Sequence, residues 1–475
     1  MAWTGSAKWL TQLISWPITI LTARILAPGD YGYIALVTVF TRLIALLCEG
    51  GMGTAIVSGP TLSRRQLQQL ASVALGAGVA AFVVGCLMAW PMAWFYKSEP
   101  IRWIVLAISA TLIGDALALI PTSLMRREFR FKELAVADVS RNIVDQVVTL
   151  TLAVMGARYW ALVGGYAAGV AVFCAAVLSR RAVGFARPVW HEIAESMRFS
   201  MHIVLRNVSH FLSGSSDTVI AGRLFSTAGV GVYSMAGTLA WAPVEKITSM
   251  ITRVTPALFA AVRDDPAGLR RYTLRISEVL AVLTVPMFVG FAVVAPDAIA
   301  MLLGPKWAAT VVPLRWLCIA GALSECLAVV PHALQAVGAT KALARSGVAA
   351  LFLYPPGFLI AGLFFGLPSL AAVYAIVGPG LALWQLTVLS REIPLSRRAF
   401  LRNLMPALTC TAIMLVGLLA LGQLPAVAAL GSGPRLALLV PSGMVLYVGA
   451  AVTLFWPRVC AIWDFARRQR PGAAA

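Results

Sequence analysis

Residues 199–243 read FSMHIVLRNVSHFLSGSSDTVIAGRLFSTAGVGVYSMAGTLAWAP, and they repeat residues 5–40, GSAKWLTQLISWPITILTARILAPGDYGYIALVTVF, 199 positions further on. Aligned at that offset, Arg24 falls on Arg223 and Gly32 on Gly231. Each copy is an apolar segment ending in an arginine, a short turn with glycine, and a second apolar segment. A weaker echo follows, in which Arg102-Trp103 leading to Pro121-Thr-Ser-Leu124 resembles Arg315-Trp316 leading to Pro331-His-Ala-Leu334. Helices rich in Leu, Ala and Gly also resemble one another by chance, and the second echo alone does not exclude that. Similarity in a fixed order between two halves predicts two bundles with a site between them, the commonest plan for a transporter.

The composition sets the solvent. The chain has 475 residues, 60% of them hydrophobic and 12% charged, with a mean hydropathy of +0.85. That is more apolar surface than a soluble core can enclose, so the bilayer must cover the remainder. Apolar runs of ~20 residues recur from end to end, without the strict alternation of lipid-facing strands, and so predict helices. The net charge of +19 does not indicate nucleic acid, because the cations sit in small groups between apolar runs and make no basic face on a folded domain. The seven cysteines lie in or beside hydrophobic runs with no CxxC spacing, which favours packing over disulfides or metal ligation. The first apolar run lacks the architecture of a cleavable signal, and is expected to remain as the first span.

The runs predict an all-α integral membrane protein with about fourteen transmembrane helices. The repeat divides them into a six-helix lobe over residues 1–180, a cytoplasmic linker over 181–198, a second six-helix lobe over 199–392, and two appended helices with a basic tail over 393–475. The connections alternate between basic and neutral. One set carries Arg64-Arg65, Arg126-Arg127 with Arg130 and Lys132, Arg180-Arg181, Arg270-Arg271, Arg397-Arg398 and Arg467-Arg468. Retention of Lys and Arg on the cytoplasmic side then places both termini in the cytoplasm and requires an even number of spans. The linker, with Pro188, Trp190 and His191, reads either as a short interfacial amphipathic piece or as an ordinary solvated connection.

Ionisable groups at bilayer depth mark function because they are costly there. The first helix pair holds Lys8, then Arg42 and Glu49; its counterpart holds Arg206 and Asp217, then Glu245 and Lys246. Arg42 and Arg206 lie deepest and are expected to face a water-filled cavity. Cations facing each other there would attract an anion. Lys8 and Lys246 are further candidate ligands, although Lys8 lies near a membrane face and can snorkel to the interface. Asp217 is expected near the outer end, where pairing with Arg24 or Arg223 would form a gate and a solvated helix end is the alternative. Glu49 and Glu245 are the matching acids toward the cytoplasm, candidates for gating or ion coupling. Asp138, Arg141 and Asp145 share one helix face, so Arg141 reads as part of a self-neutralised stripe, with a substrate contact as the second reading. Asp115, Glu278 and Glu325 are isolated acids that could carry a proton. Pro17, Pro121, Pro243, Pro286 and Pro331 are candidate hinges or static kinks.

The run Arg24-Ile-Leu-Ala-Pro-Gly-Asp-Tyr-Gly32-Tyr33, followed by Glu49-Gly-Gly-Met-Gly-Thr-Ala-Ile56, resembles the opening of the Wzx-type polysaccharide flippases of the multidrug/oligosaccharidyl-lipid/polysaccharide exporter superfamily. Met125-Arg-Arg-Glu-Phe-Arg-Phe131, Asp217-Thr-Val-Ile-Ala-Gly-Arg223 and Leu302-Leu-Gly304-Pro-Lys-Trp307 add to the likeness, which spans nearly the whole chain. The resemblance implies two six-helix lobes around a central cavity, often with two further helices. It also implies translocation of an undecaprenyl-pyrophosphate-linked oligosaccharide across a bacterial inner membrane by alternating access. The implied partners are that substrate and membrane lipids, with a polysaccharide polymerase and export machinery as candidate protein partners. No cofactor, metal or nucleic acid is implied. A cation-coupled drug or metabolite exporter of the same superfamily is the nearest alternative, but such proteins tend to present acids to cationic substrates. A membrane-embedded polymerase or glycosyltransferase would call for a large outer loop, and the outward connections here are short. No P-loop occurs, and Asp264-Asp265 is a loose acidic pair before Pro266.

Overall fold

A computed structural model of the chain describes residues 15–58, 62–189, 208 and 211–468, and every regular element among them is helical. The chain gathers into two compact units, Met1–Ser234 and Met235–Ala475. The first holds α1 (helical over 15–25), α2 (Pro28–Glu49), α3 (Met52–Ser58), α4 (Arg64–Phe95), α5 (Glu99–Arg127), α6 (Phe131–Val154), α7 (Tyr159–Arg180), α8 (helical over 211–224) and the start of α9 (Thr227–Ala261). The start of the second sequence copy therefore packs within the first unit.

Local chemistry starts these helices where the sequence places them. Pro28 stands in the first turn of α2, and the Asp30 carboxylate accepts a 2.9 Å hydrogen bond from the Ala27 N–H. At α4 the Gln66 N–H donates to Ser63 Oγ at 3.2 Å and the Ser63 N–H to Gln66 Oε1 at 2.8 Å, so two orphan donors are satisfied reciprocally. α6 and α7 approach through glycines. A side chain on Gly165 would run into Thr149 Oγ1 and come within 2.8 Å of Asp145 Oδ1, and one on Gly169 would come within 3.1 Å of the Arg141 carbonyl oxygen. Helices in lipid gain little from hiding apolar surface from each other, so close backbone approach is what holds such pairs.

The repeat is also a contact. Pro28 and Gly32 correspond, 199 positions on, to Thr227 and Gly231. A side chain on Gly32 would run into the Thr227 carbonyl oxygen, and one on Gly231 into the Pro28 carbonyl oxygen. Each glycine thus meets the counterpart of its own copy's partner, the isologous pattern of a local two-fold axis. Backbones this close favour Cα–H···O contacts in both directions.

At the opposite ends of these helices, charges tie connections together. Arg181 donates to Glu128 at 2.6 Å, Arg130 to Glu133 at 2.6 Å, and Arg127 to the Ile56 carbonyl oxygen at 2.8 Å. Residues 182–189 are non-helical and run beside α4, with the Ala186 N–H donating to Ser72 Oγ at 3.1 Å. Trp190 and His191 lie outside the described residues.

The second unit continues with α10 (Pro266–Leu302), a 3-10 turn (Pro305–Thr310), α11 (Val311–Glu325), α12 (Val330–Ala336), α13 (Thr340–Phe365), α14 (Leu367–Glu392), α15 (Arg397–Gln423), α16 (Pro425–Ala428) and α17 (Ser432–Arg468). The expected span 308–330 is interrupted: α11 ends at Glu325 and α12 starts at Val330. Pro331 has no N–H for the Leu327 carbonyl and clashes with it, which unwinds the preceding turn. The appended helices dock on α10. Val294 packs with Met414, Leu418 and Leu439, Asn403 donates to the Leu274 carbonyl oxygen at 2.8 Å, and Tyr447 donates to that of Val282 at 2.8 Å.

Among the described residues ten segments are long and apolar enough to cross a membrane, fewer than the fourteen spans expected. Expected spans 5–24 and 199–221 lie partly outside those residues. α6 has the length, 24 residues, but carries Lys132, Glu133, Asp138, Arg141 and Asp145.

Candidate functional site

Arg42 is the exposed cation of α2 at membrane depth. It lies within the crossing segment Pro28–Leu47, seven residues or about 10 Å before the end of α2 at Glu49, and its side chain is exposed. A guanidinium facing hydrocarbon there would cost about 3 kcal/mol or more unless it reaches water or an anion. Glu49, also exposed, ends the helix beside Gly53, and a side chain added at Gly53 would touch both Glu49 Oε1, at 3.2 Å, and Ser123 Oγ, at 3.1 Å.

The expected outer gating groups lie near the glycine crossing. Arg24 and Arg223 are both exposed at the ends of their helices. The Arg223 guanidinium sits 5.7 Å from the centroid of the Phe95 ring. Asp217 is buried, at 7% exposure, and its carboxylate accepts from the Tyr233 hydroxyl at 2.8 Å and from Thr218 Oγ1 at 3.1 Å. It is therefore a partnered interior acid, not the solvated helix end that was the alternative.

Arg141 finds its acid on a neighbouring helix. Its guanidinium is 3.9 Å from Asp115 on α5 and lies over Tyr166 and Phe173 of α7, 5.6 and 5.5 Å from their centroids. Asp145 accepts from Thr149 at 3.2 Å. The stripe read along α6 is thus completed across three helices. A guanidinium so held is a fixed charge with partners, less able to take up an arriving anion than Arg42.

In the second unit, Thr248 on α9 donates to the Glu325 carboxylate at 2.7 Å where α11 stops. Tyr354, Phe358 and Tyr374 cluster beside that level with centroids 5.1–5.6 Å apart. Glu278, 5% exposed, accepts from Arg275 at 3.0 Å. Asp297 lies 3.6 Å from Arg435, which ties the start of α17 to α10. Lys8 and Arg206 lie outside the described residues. Glu245 and Lys246 stand within α9, but their side chains are not among those described. Among the described residues no three His, Cys, Asp or Glu side chains gather as a transition-metal site requires. Sequence reasoning missed Asp30, Thr248 and Tyr354. Only Asp30 left a signal, an acid three residues past Ala27 and two past a Pro at a helix start.

Among the described residues every regular element is helical and ten segments are long and apolar enough to cross a membrane, which defines a multi-pass membrane protein of transporter architecture. The chain belongs to the polysaccharide biosynthesis protein family, which it matches over residues 21–312. It is similar to the lipopolysaccharide biosynthesis protein WzxC of Escherichia coli (strain K12), 23% identical over 73% of this chain and 70% of that one. It is also similar to the succinoglycan biosynthesis transport protein ExoT of Rhizobium meliloti (strain 1021), 25% identical over 70% and 71%. In fold it resembles the lipid II flippase MurJ in an inward closed conformation, with a TM-score of 0.81, 12% identity and coverage of 97% of this chain and all of that one.

Proposed function

We propose that this protein is a flippase. It carries an oligosaccharide joined through pyrophosphate to a polyprenyl lipid from the inner to the outer leaflet of a bacterial inner membrane, by alternating access. Membership of the polysaccharide biosynthesis family carries the reading, and the flippase fold supports it. The pyrophosphate is the part of this substrate least able to cross hydrocarbon, and it needs a cation at depth. Arg42 supplies one: a delocalised, permanently charged donor fork suited to phosphate oxygens. Arg206, Lys8 and Lys246 remain proposed ligands on their positions in sequence. Arg141 is assigned the lesser role of fixing the charge of its own helix bundle. Both termini are placed in the cytoplasm, and the lipid tail stays in the bilayer throughout.

The test is deletion of the gene and complementation. Loss should leave lipid-linked glycan on the cytoplasmic leaflet, and wild type should clear it. Arg42→Ala should accumulate in the membrane at normal level with export reduced about tenfold or more, a loss of over 1.4 kcal/mol in handling the headgroup. Arg42→Lys should recover part of it and Arg42→Gln none. Normal surface polysaccharide in the deletion strain would end the flippase reading. Normal export by Arg42→Gln would remove Arg42 from the path and leave the reading standing.

A further inference from the structure

The second echo in the sequence, Pro121 to Leu124 against Pro331 to Leu334, leads in each unit into the same turn built from different residues. After α5 the Arg130 N–H donates to the Met125 carbonyl oxygen at 2.9 Å, that of Phe129 to Arg126 at 3.2 Å, and that of Phe131 to Phe129 at 2.8 Å. After α12 the Ala339 N–H donates to Leu334 at 2.9 Å, that of Gly338 to Gln335 at 3.2 Å, and that of Thr340 to Gly338 at 2.8 Å. Both are Schellman turns, in which the residue after the cap is left-handed and favours glycine. The second unit has glycine there, Gly338 at φ +77°, but the first has Phe129 at φ +56°. A bulky side chain takes that conformation at a cost that glycine avoids. Burial does not offset it, because Phe129 is 79% exposed. Its ring lies edge to face with Phe131, also exposed, with centroids 5.9 Å apart. Where the first turn has Phe131 the second has Thr340, so the backbone calls for neither phenylalanine.

The turn is braced. Arg181 donates to Glu128 at 2.6 Å, and Arg130 grips Glu133 through two bonds of 2.6 and 2.8 Å. The cap of α5, the start of α6 and the end of α7 are thereby tied together, and the two rings stand on a stiff platform that loses little entropy when they are covered. Six cations, Arg126, Arg127, Arg130, Lys132, Arg180 and Arg181, stand here against the two acids, which leaves the surface positive.

Depth separates a lipid occupant from a protein one. Trp103, exposed near the other end of α5, marks where that helix meets the headgroups. Phe129 follows it by 26 residues, about 39 Å of helix, whereas the hydrocarbon is about 30 Å thick. Even at a tilt of ~20° the turn stands about 7 Å past the hydrocarbon, at the outer edge of the headgroups, too far for a phenyl ring to reach the lipid tails.

We propose that Phe129 and Phe131, with the cations around them, form a docking surface on the cytoplasmic side for a second protein, one that presents an apolar pocket ringed by carboxylates. Aromatic side chains at the centre with arginines at the rim are the anatomy of a protein interface. The positive rim selects an acidic partner and steers its approach. The effect of docking on export rests on the flippase reading, in which the substrate arrives from this side.

The experiment replaces Phe129 by the residue that the second unit uses. Phe129→Gly, purified full-length in detergent, should have a Tm equal to or above that of wild type, because the turn prefers glycine. In cells it should lower surface polysaccharide about fivefold or more, and Phe129→Tyr should keep it. In vesicles, purified Phe129→Gly should flip a fluorescent polyprenyl-diphosphate oligosaccharide at the wild-type rate, whether the lipid is phosphatidylcholine or phosphatidylglycerol. With p-benzoylphenylalanine at position 129, illumination of living cells should give a discrete protein adduct that Lys132→Glu weakens. Normal surface polysaccharide in Phe129→Gly overturns the proposal. So does slow flipping by that variant in both lipids, which puts Phe129 in the carrier itself, or in phosphatidylglycerol alone, which makes the membrane surface the occupant. An adduct with lipid only, or with a second copy of this chain, also overturns it. A wild type that flips nothing in vesicles counts against the flippase reading, and the adduct and its charge dependence then decide the surface.

Discussion

At membrane depth a single side chain can be judged by what satisfies its charge. Arg141 and Asp115 sit 3.9 Å apart, each about a third exposed, with two aromatic rings under the guanidinium. The acid-base pair is half desolvated, so removing one partner leaves the other without compensation, while removing both is nearly neutral. Asp115→Asn should therefore lower stability by about 1–3 kcal/mol, and Asp115→Leu combined with Arg141→Met should recover most of that. Thermal unfolding of Asp115→Asn, and of Asp115→Leu and Arg141→Met alone and combined, checks it. Additive losses would show that the pair does not interact. The sequence placed Arg141 on a polar stripe with Asp138 and Asp145, and its charge does act on Asp145, but spacing reveals neighbours along one helix only. Asp115 lies 26 residues earlier, on a helix whose facing side no local pattern could announce.

Among elements, the glycine crossing of α2 and α9 differs from an ordinary small-residue seam because the two copies contact each other through equivalent positions. Gly32 and Gly231 have no room for a Cβ, whereas a side chain at Gly29 would meet Thr227 Oγ1 at an ordinary 3.7 Å. Gly32→Ala and Gly231→Ala should each force the helix backbones apart and cost roughly 2 kcal/mol or more in stability, with Gly29→Ala close to neutral. A Tm for Gly32→Ala equal to that of Gly29→Ala would show that the helices part readily. The repeat made this pair of glycines visible in sequence, though not that they touch. The helix bounds were legible too: the expected spans 69–93 and 342–363 sit inside α4 and α13. The break after Glu325 was not, since Pro331 was read as a hinge or a static kink and the turn it accompanies lies upstream of it, over residues 326–329. Pro121 stands inside α5 without interrupting it, so proline alone does not decide. The packed surroundings choose whether freed carbonyls are tolerated.

For the whole molecule, orientation and span number are one question. Basic groups stand at the starts of α4 and α6 and at the ends of α5 and α7, while the far ends of α4, α5 and α7 expose Trp94, Trp103 and Trp160. Aromatic side chains anchor at either membrane face, so the indole rings mark where these helices meet the headgroups, and the arginines at the other face are the groups expected to be retained in the cytoplasm. We propose that the first unit is oriented in the sense predicted by the alternating loop charges, which rests on these same cations, with the indole rings marking the opposite membrane face. Placed so, the turn between α6 and α7 faces outward and the segment after α7 faces the cytoplasm. Met155 in that turn is 75% exposed, and Ala182 beyond α7 is exposed as well. In a background with the seven native cysteines replaced, Met155→Cys should react with a membrane-impermeant maleimide in intact spheroplasts, and Ala182→Cys only after lysis. A cysteine added after Ala475 should behave like Ala182→Cys, because an even number of spans returns the chain to its starting side. Labelling of Ala182→Cys from outside would invert the orientation. If that cysteine is protected while the one after Ala475 is labelled in intact spheroplasts, an odd number of crossings follows Ala182, and the span count falls with the orientation upheld.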